Sequence, residues 1–227
     1  MFRYPELLEA ARENLATKWH ILDGTLYGLC RQNREHRTWD SVAAKVWIIG
    51  RTYATGIERK IPTRNTPGSN LSQLVEHILQ NRRVVDSIFG ELAEVFEPLT
   101  PKKLKTIVDA HGRFVKVLQP ILRRRQSPRS FASKYMHFHC SAVPLYDTYA
   151  VTALRHLYRW EDCFEVFALP ASADQEYAWH VMRFWQLYHA AKTARERVTV
   201  KLLDLYLLCV AEKRRNTYLR RAGGGPT

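Results

Sequence analysis

The stretch Ser127-Pro-Arg-Ser-Phe-Ala-Ser-Lys-Tyr-Met-His-Phe-His-Cys-Ser-Ala-Val-Pro-Leu-Tyr-Asp-Thr-Tyr-Ala150 decides how the chain is read, because it sets one lysine and one aspartate between two helix-start signals. Ser127 followed by Pro128 predicts a helix start: the hydroxyl accepts from an orphan amide, and proline fills the first helical position without losing a hydrogen bond. That helix is expected to run to about His139. Phe131, Tyr135 and Phe138 recur at spacings of four and three, and Lys134 lies between Phe131 and Phe138 on an adjoining line of the same surface. Pro144 breaks the chain. Asp147 then precedes the apolar-periodic run from Thr148 to Leu157, for which a carboxylate is a natural N-cap. Lysine and aspartate are thus placed on consecutive helices joined by a short turn.

The charge around this stretch is one-sided. No acidic residue occurs from Ala110 to Tyr146, whereas Arg113, Lys116, Arg123, Arg124, Arg125, Arg129 and Lys134 all do. Such a run is a solvated basic face or a polyanion-binding surface. The net charge of +13, concentrated beside aromatic residues rather than in a tail, favours a nucleic-acid partner. Arg123, Arg124, Arg125 and Arg129 are the candidate phosphate contacts.

With 227 residues, 46% of them hydrophobic, the chain can build a core without staples. Cys30, Cys140, Cys163 and Cys209 are scattered, form no CxxC motif and follow no signal peptide, which points to a reducing cytoplasm. No apolar run approaches a membrane span, and Asp204 and Glu212 interrupt the leucines between Lys201 and Lys213.

Helix follows helix along the rest of the chain. Residues 5–18 open with proline and acids. Residues 20–38, with Asp23-Gly24 and Gly28, read as an irregular connector. Asp40 to Ile57 reads as one strong helix on Val42, Val46, Ile49 and Tyr53. Residues 60–70 form the clearest linker, and a subdomain boundary is expected there. Leu71 to Phe89 and Glu91 to Phe96 follow as a long and a short helix. Thr100-Pro101 opens a helix to about Leu122, interrupted or bent near Gly112 and Pro120. Ser172-Ala-Asp-Gln175 has capping-box spacing and opens a helix to Lys192, and a last helix runs from Glu196 to Leu219. The expectation is an all-α protein of two packed helical subdomains spanning 1–222, with a disordered tail at 223–227.

A lysine desolvated among aromatic rings becomes a nucleophile toward carbonyl-like carbon, and a nearby carboxylate stabilises a developing cation or activates water. Cleavage of an N-glycosidic bond uses both: the aspartate steadies the oxocarbenium-like sugar and an amine can trap C1′ as a Schiff base. The base has first to enter an aromatic-walled pocket. Candidate walls are Trp47, Tyr53, His137, His139 and Trp185. His137 and His139 point about 200° apart on a helix, so they do not chelate a metal together, and no metal is expected.

At these residues the chain resembles the helical DNA glycosylases of the helix-hairpin-helix superfamily. Ser133-Lys-Tyr-Met-His-Phe-His139 looks like the lysine segment, and Val143-Pro-Leu-Tyr-Asp-Thr-Tyr-Ala150 like the proline-containing approach to the catalytic aspartate. The similarity is best to small bacterial members that remove modified cytosines in anti-phage defence. It implies that Lys134 is the Schiff-base or activating lysine and Asp147 the essential carboxylate of a monomeric enzyme that excises a modified or damaged base from double-stranded DNA without a cofactor. Strong likeness covers about 24 of 227 residues. The sequence departs from the family in two ways: Gly112 is the only glycine between Gly90 and Gly223, where a glycine-rich phosphate-gripping hairpin is expected before the lysine, and the spacing from Lys134 to Asp147 (147 − 134 = 13) is short. No four-cysteine cluster motif is present, which excludes an iron–sulfur version.

Overall fold

The structure, a computed structural model, describes residues 4–15, 19–62, 70–159, 161, 166–194 and 196–223. It is all-α, with no strand among the described residues. The helices are α1 (Pro5–Leu15), α2 (Trp19–Gln32), α3 (Trp39–Trp47), α4 (Ile57–Lys60), α5 (Asn70–Gln80), α6 (Arg82–Ala93), α7 (Pro101–Leu118), α8 (Arg129–His139), α9 (Thr148–Leu157), α10 (Gln175–Thr193) and α11 (Val200–Gly223).

The quoted stretch supplies the centre. Every residue of α8 from Phe131 to Phe138 is buried, and a helix buried all round must lie inside other helices. α2, α6 and α7 pack on it, as does a π-helical turn at Ile48–Thr52. On one side α3 packs with α5 and α6 with α7; on the other α11 gathers α1 and α9. The rings of Phe89, Phe114, Phe131 and Tyr135 interlock in the middle, at centroid separations of 5.2–5.7 Å. α3 and α5, on either side of the expected linker, lie against one another. Residues 63–69 of that linker, Cys163 and residues 224–227 of the expected tail lie outside the described residues.

Several local expectations change. Residues 20–38, read as a connector, are mostly the helix α2: Leu26 and Cys30 bury against the core, and this packing outweighs the cost of Gly24 and Gly28. The helix expected from Asp40 to Ile57 starts at Trp39, capped by Thr38, and gives way to the π turn after Trp47. α5 and α6 are separate elements that meet at Asn81, whose side chain and backbone N–H both donate to His77 O, at 2.9 and 3.2 Å. α7 runs unbroken through Gly112 and ends at Leu118 in a 3₁₀ turn, Gln119–Ile121. A Cβ on Gly112 would stand 2.0 Å from Ser172 O, so this glycine admits a crossing backbone rather than bending the helix. Asp174, not Ser172, caps α10, and Ser172 instead donates to Asp109 Oδ1 at 2.5 Å. The last helix begins at Val200 rather than Glu196.

Candidate active site

The start of α8 lies one residue later than Ser127-Pro128 suggests, with Pro128 at the cap, and the Ser127 hydroxyl accepts from the first helical amide, Arg129 N–H, at 3.3 Å. One and a half turns on, Lys134 sends its ammonium out of the core. It donates to Tyr53 O at 2.8 Å and stands 3.6 Å from Asp147 Oδ2. Asp147 is the N-cap of α9: its Oδ1 accepts from Ala150 N–H at 2.9 Å, leaving Oδ2 turned to the lysine. The capping bond fixes the carboxylate's orientation, and the partial positive charge of the helix start attracts its negative charge.

The approach to Asp147 is held at successive residues. His137 Nδ1–H donates to Val143 O at 2.7 Å, Tyr177 O–H to Pro144 O at 2.9 Å and His180 Nε2–H to Leu145 O at 2.7 Å. Tyr146 N–H donates to Ser133 Oγ at 3.0 Å. Those bonds set the tautomers, so His137 Nε2 accepts from Tyr27 O–H at 2.5 Å. Burial first of all pulls the pKa of His137 down to about 3 and that of His180 to about 4, so both stay neutral and keep these roles at physiological pH. The aspartate is therefore delivered on a segment with little freedom to move, which is what electrostatic catalysis requires.

Lys134 and Asp147 open onto a cavity of about 420 Å³. Its other walls come from α2 (Asp23), the end of the π turn (Thr52, Tyr53, Ala54) and α11 (Lys201, Asp204, Leu205). π turns concentrate at functional sites, and Ala54 sits in the left-handed region at φ 50°, uncommon for a residue with a side chain. Asp23 Oδ2 pairs with Lys201 Nζ at 2.7 Å, and its Oδ1 accepts from the Tyr53 hydroxyl. Asp204 is 6% exposed. Among the described residues, no hydrogen bond or ion pair reaches its carboxyl. Burial pushes its pKa up to about 7; Lys201 and Lys134 pull it down, while Asp147 and Asp23 push it further up. The cavity thus holds one lysine–carboxylate pair, a second pair that is internally satisfied, the buried carboxyl of Asp204 and, at its exposed edge, that of Glu212.

The remaining expected site residues are dispersed. Arg123, Arg124 and Arg125 are exposed on the turn between α7 and α8, where Arg125 adopts φ 63°. That turn lies before α8, and Arg123 N–H donates to Lys60 O at 2.8 Å to hold it against α4. Arg129 is half-buried: its Nε donates to Asp174 Oδ1 at 2.6 Å and its guanidinium lies 5.3 Å from the Tyr146 ring, so its charge is already matched. Of the five expected pocket walls, Tyr53 lines the cavity. Trp47 packs edge-on against Trp39 and Trp185 stacks on Tyr188. His137 is a core histidine that holds Val143. His139 stacks on both Tyr135 and His36, which also stack on one another, and accepts from the buried Lys45 Nζ at 3.4 Å.

Asp23, Lys201, Asp204 and Glu212 are the charged cavity residues that the sequence did not assign. The one signal for them was an acid among the leucines of the last helix. Among the described residues, no group of three or more His, Cys, Asp or Glu is arranged to hold a metal. No family model, curated protein or solved structure matches the chain, so what the cavity does must be read from its own residues.

Proposed function

We propose that this protein is a DNA glycosylase that takes a modified or damaged base out of the duplex and cleaves its N-glycosidic bond. The observation that carries the reading is the Lys134–Asp147 pair, 3.6 Å apart on the wall of a cavity of about 420 Å³, a volume within the usual range for small-molecule sites. Asp147 supplies a fixed negative charge where the sugar becomes positive. Lys134, held at Tyr53 O, is placed to attack C1′ once it has given up a proton, or to orient a water that Asp147 activates. The exposed arginine turn before α8 supplies the cations for the phosphates on either side of the extruded nucleotide.

The test is single-turnover incubation with duplexes that each carry one uracil, 8-oxoguanine, 5-hydroxymethylcytosine or 7-methylguanine. Alkali reveals abasic sites and borohydride traps any imine. Abasic sites are expected on at least one duplex, with Asp147→Asn reducing their formation by at least about 100-fold while duplex binding persists. Lys134→Ala and Lys134→Arg should both abolish a trapped adduct, since a guanidinium does not form the imine. Loss of trapping alone, with excision retained, assigns the attack to water. Duplex binding without excision from any of the four would replace the reading with that of a non-catalytic DNA-binding protein.

A further inference from the structure

Building on the glycosylase reading, we propose that Asp204 is the general acid that protonates the departing base. Asp204 lines the same cavity as Lys134 and Asp147, reaches it from a different helix, and is more than nine-tenths buried with no hydrogen-bond partner among the described residues. A carboxyl left without a partner inside a protein is costly, and its location gives the cost a use: the partner arrives with the substrate. Lys201, one helical turn earlier on α11, could have neutralised it but is committed to Asp23 at 2.7 Å. Asp23 in turn is held by the Tyr53 hydroxyl, so that trio is closed and Asp204 is the group left to meet a ligand.

The charged groups that face Asp204 are Asp23 of α2, Lys134 of α8, Asp147 of α9 and Lys201 of its own helix, with the Tyr27 phenol nearby. Glu212, a further two turns along α11, lines the same cavity. α1 and α10 also pack on α11, but no described residue of either lines the cavity. The surroundings of the two carboxyls differ in kind, which suits them to different roles. Asp147 has a helix start, a backbone N–H and Lys134; Asp204 has deep burial, the like charges of Asp147 and Asp23, and only the more distant pull of Lys201 and Lys134, each of which pairs with another carboxylate.

As the C1′–N bond breaks, its electron pair goes to the base, and Asp204 Oδ–H gives its proton to a ring nitrogen or carbonyl oxygen of that base. Asp147 remains ionised beside the cationic sugar. Water adds its hydroxyl to C1′, and its second proton restores the Asp204 carboxyl. The substrates that need this help are neutral bases, which are poor leaving groups as anions. A base that already carries a positive charge, such as 7-methylguanine, leaves without it.

Asp204→Asn on the same four duplexes tests the assignment. With a neutral base that the parent excises, the parent rate should fall about tenfold per pH unit above about 7, and the variant should be about 100-fold slower at pH 6 with no such decline. Excision of 7-methylguanine and affinity for the duplex should stay within about threefold of the parent. A variant that keeps the parent's rate and its decline on the neutral base overturns the assignment, as does one that loses 7-methylguanine and neutral bases equally, since that marks a packing role. A parent that excises none of the four overturns the glycosylase reading itself, and this assignment with it.

Discussion

Gly112→Ala tests the packing that positions the segment leading to Asp147, and its size can be worked from the crossing of α7 with the chain before α10. The added methyl would lie 2.0 Å from Ser172 O, 2.7 Å from Ser172 C and 3.0 Å from Asp174 N. Ordinary contact starts at 3.4 Å, so the nearest atom must retreat by 1.4 Å (3.4 − 2.0). It is backbone and cannot swing aside like a side chain. What yields is the segment 172–174, with the Ser172–Asp109 bond, the Asp174 cap on Tyr177 N–H and the Asp174–Arg129 pair. Losing the cap costs about 1 kcal/mol, the hydrogen bond about 1 kcal/mol, and the part-buried pair, discounted for its exposure to solvent, about 1 kcal/mol more. The sum, about 3 kcal/mol, less the roughly 0.5–1 kcal/mol that alanine gains over glycine inside a helix, leaves about 2 kcal/mol, within the usual range of roughly 1–3 kcal/mol for overpacking a tight site. In urea, with a slope of about 2 kcal/mol per molar, the unfolding midpoint should drop by about 1 M.

Gly28→Ala and Gly90→Ala are the controls. Both glycines are helical and a Cβ on either meets nothing within 4 Å, so alanine should stabilise by about 0.5–1 kcal/mol through backbone entropy. A Gly112→Ala midpoint at or above that of the parent would refute the reasoning. The effect should also reach the site, because α10 carries Tyr177 and His180, which hold Pro144 O and Leu145 O just before Asp147.

Neutralising Arg123, Arg124 and Arg125 together should weaken duplex binding alike across sequences and shallow its salt dependence by about 0.9 for each phosphate no longer neutralised, measured by titration at several salt concentrations; an unchanged slope removes this turn from the interface. Arg129 is left out of that variant because it holds Asp174, and Arg129→Gln is expected to lower stability instead, read by the same urea titration. Burial holds His36, His111 and His180 near pKa 4 and His137 near 3, all below the unfolded value of 6.5, so their neutral forms contribute stability above pH 6.5 that is lost as pH falls through the window from 6.5 to about 4. At about 3 kcal/mol each, the four together come to about 12 kcal/mol, comparable with the roughly 5–15 kcal/mol stability of an ordinary domain, and outweigh the opposite slope of Asp204, so far-UV circular dichroism should show cooperative unfolding by about pH 4; retention of the folded signal at pH 4 would contradict it.

How far the sequence could be read follows from where each instruction is written. Thr100-Pro101 before α7 and Asp147 before α9 are local signals, a capping side chain three residues from the amide it satisfies, and both caps form as read. The Lys134–Asp147 pairing is nearly as local, because a helix end, a proline and a cap leave the two residues few ways to avoid one another. The back of the cavity is different. Asp23 stands in a stretch whose glycines imply a loop, and that stretch is helical because Leu26 and Cys30 are buried and Tyr27 meets His137 and Phe138 of α8, more than a hundred residues later. Trp47, His139 and Trp185 suit a pocket by their chemistry alone, yet aromatic rings also fill cores, and periodicity does not say which side of a helix faces a cavity and which faces a neighbour. His137 shows the same ambiguity: a polar residue on a buried helix is a ligand contact or a bond to backbone, and the Val143 carbonyl that decides it lies beyond the helix end. Asp204 is the informative case. An acid between Leu203 and Leu205 on a helix that packs against α1 and α9 must be exposed, paired or reserved for a ligand. Sequence separates none of the three; burial at 6% exposure argues against the first and the commitment of Lys201 to Asp23 against the second, which is why the third is the role proposed for it.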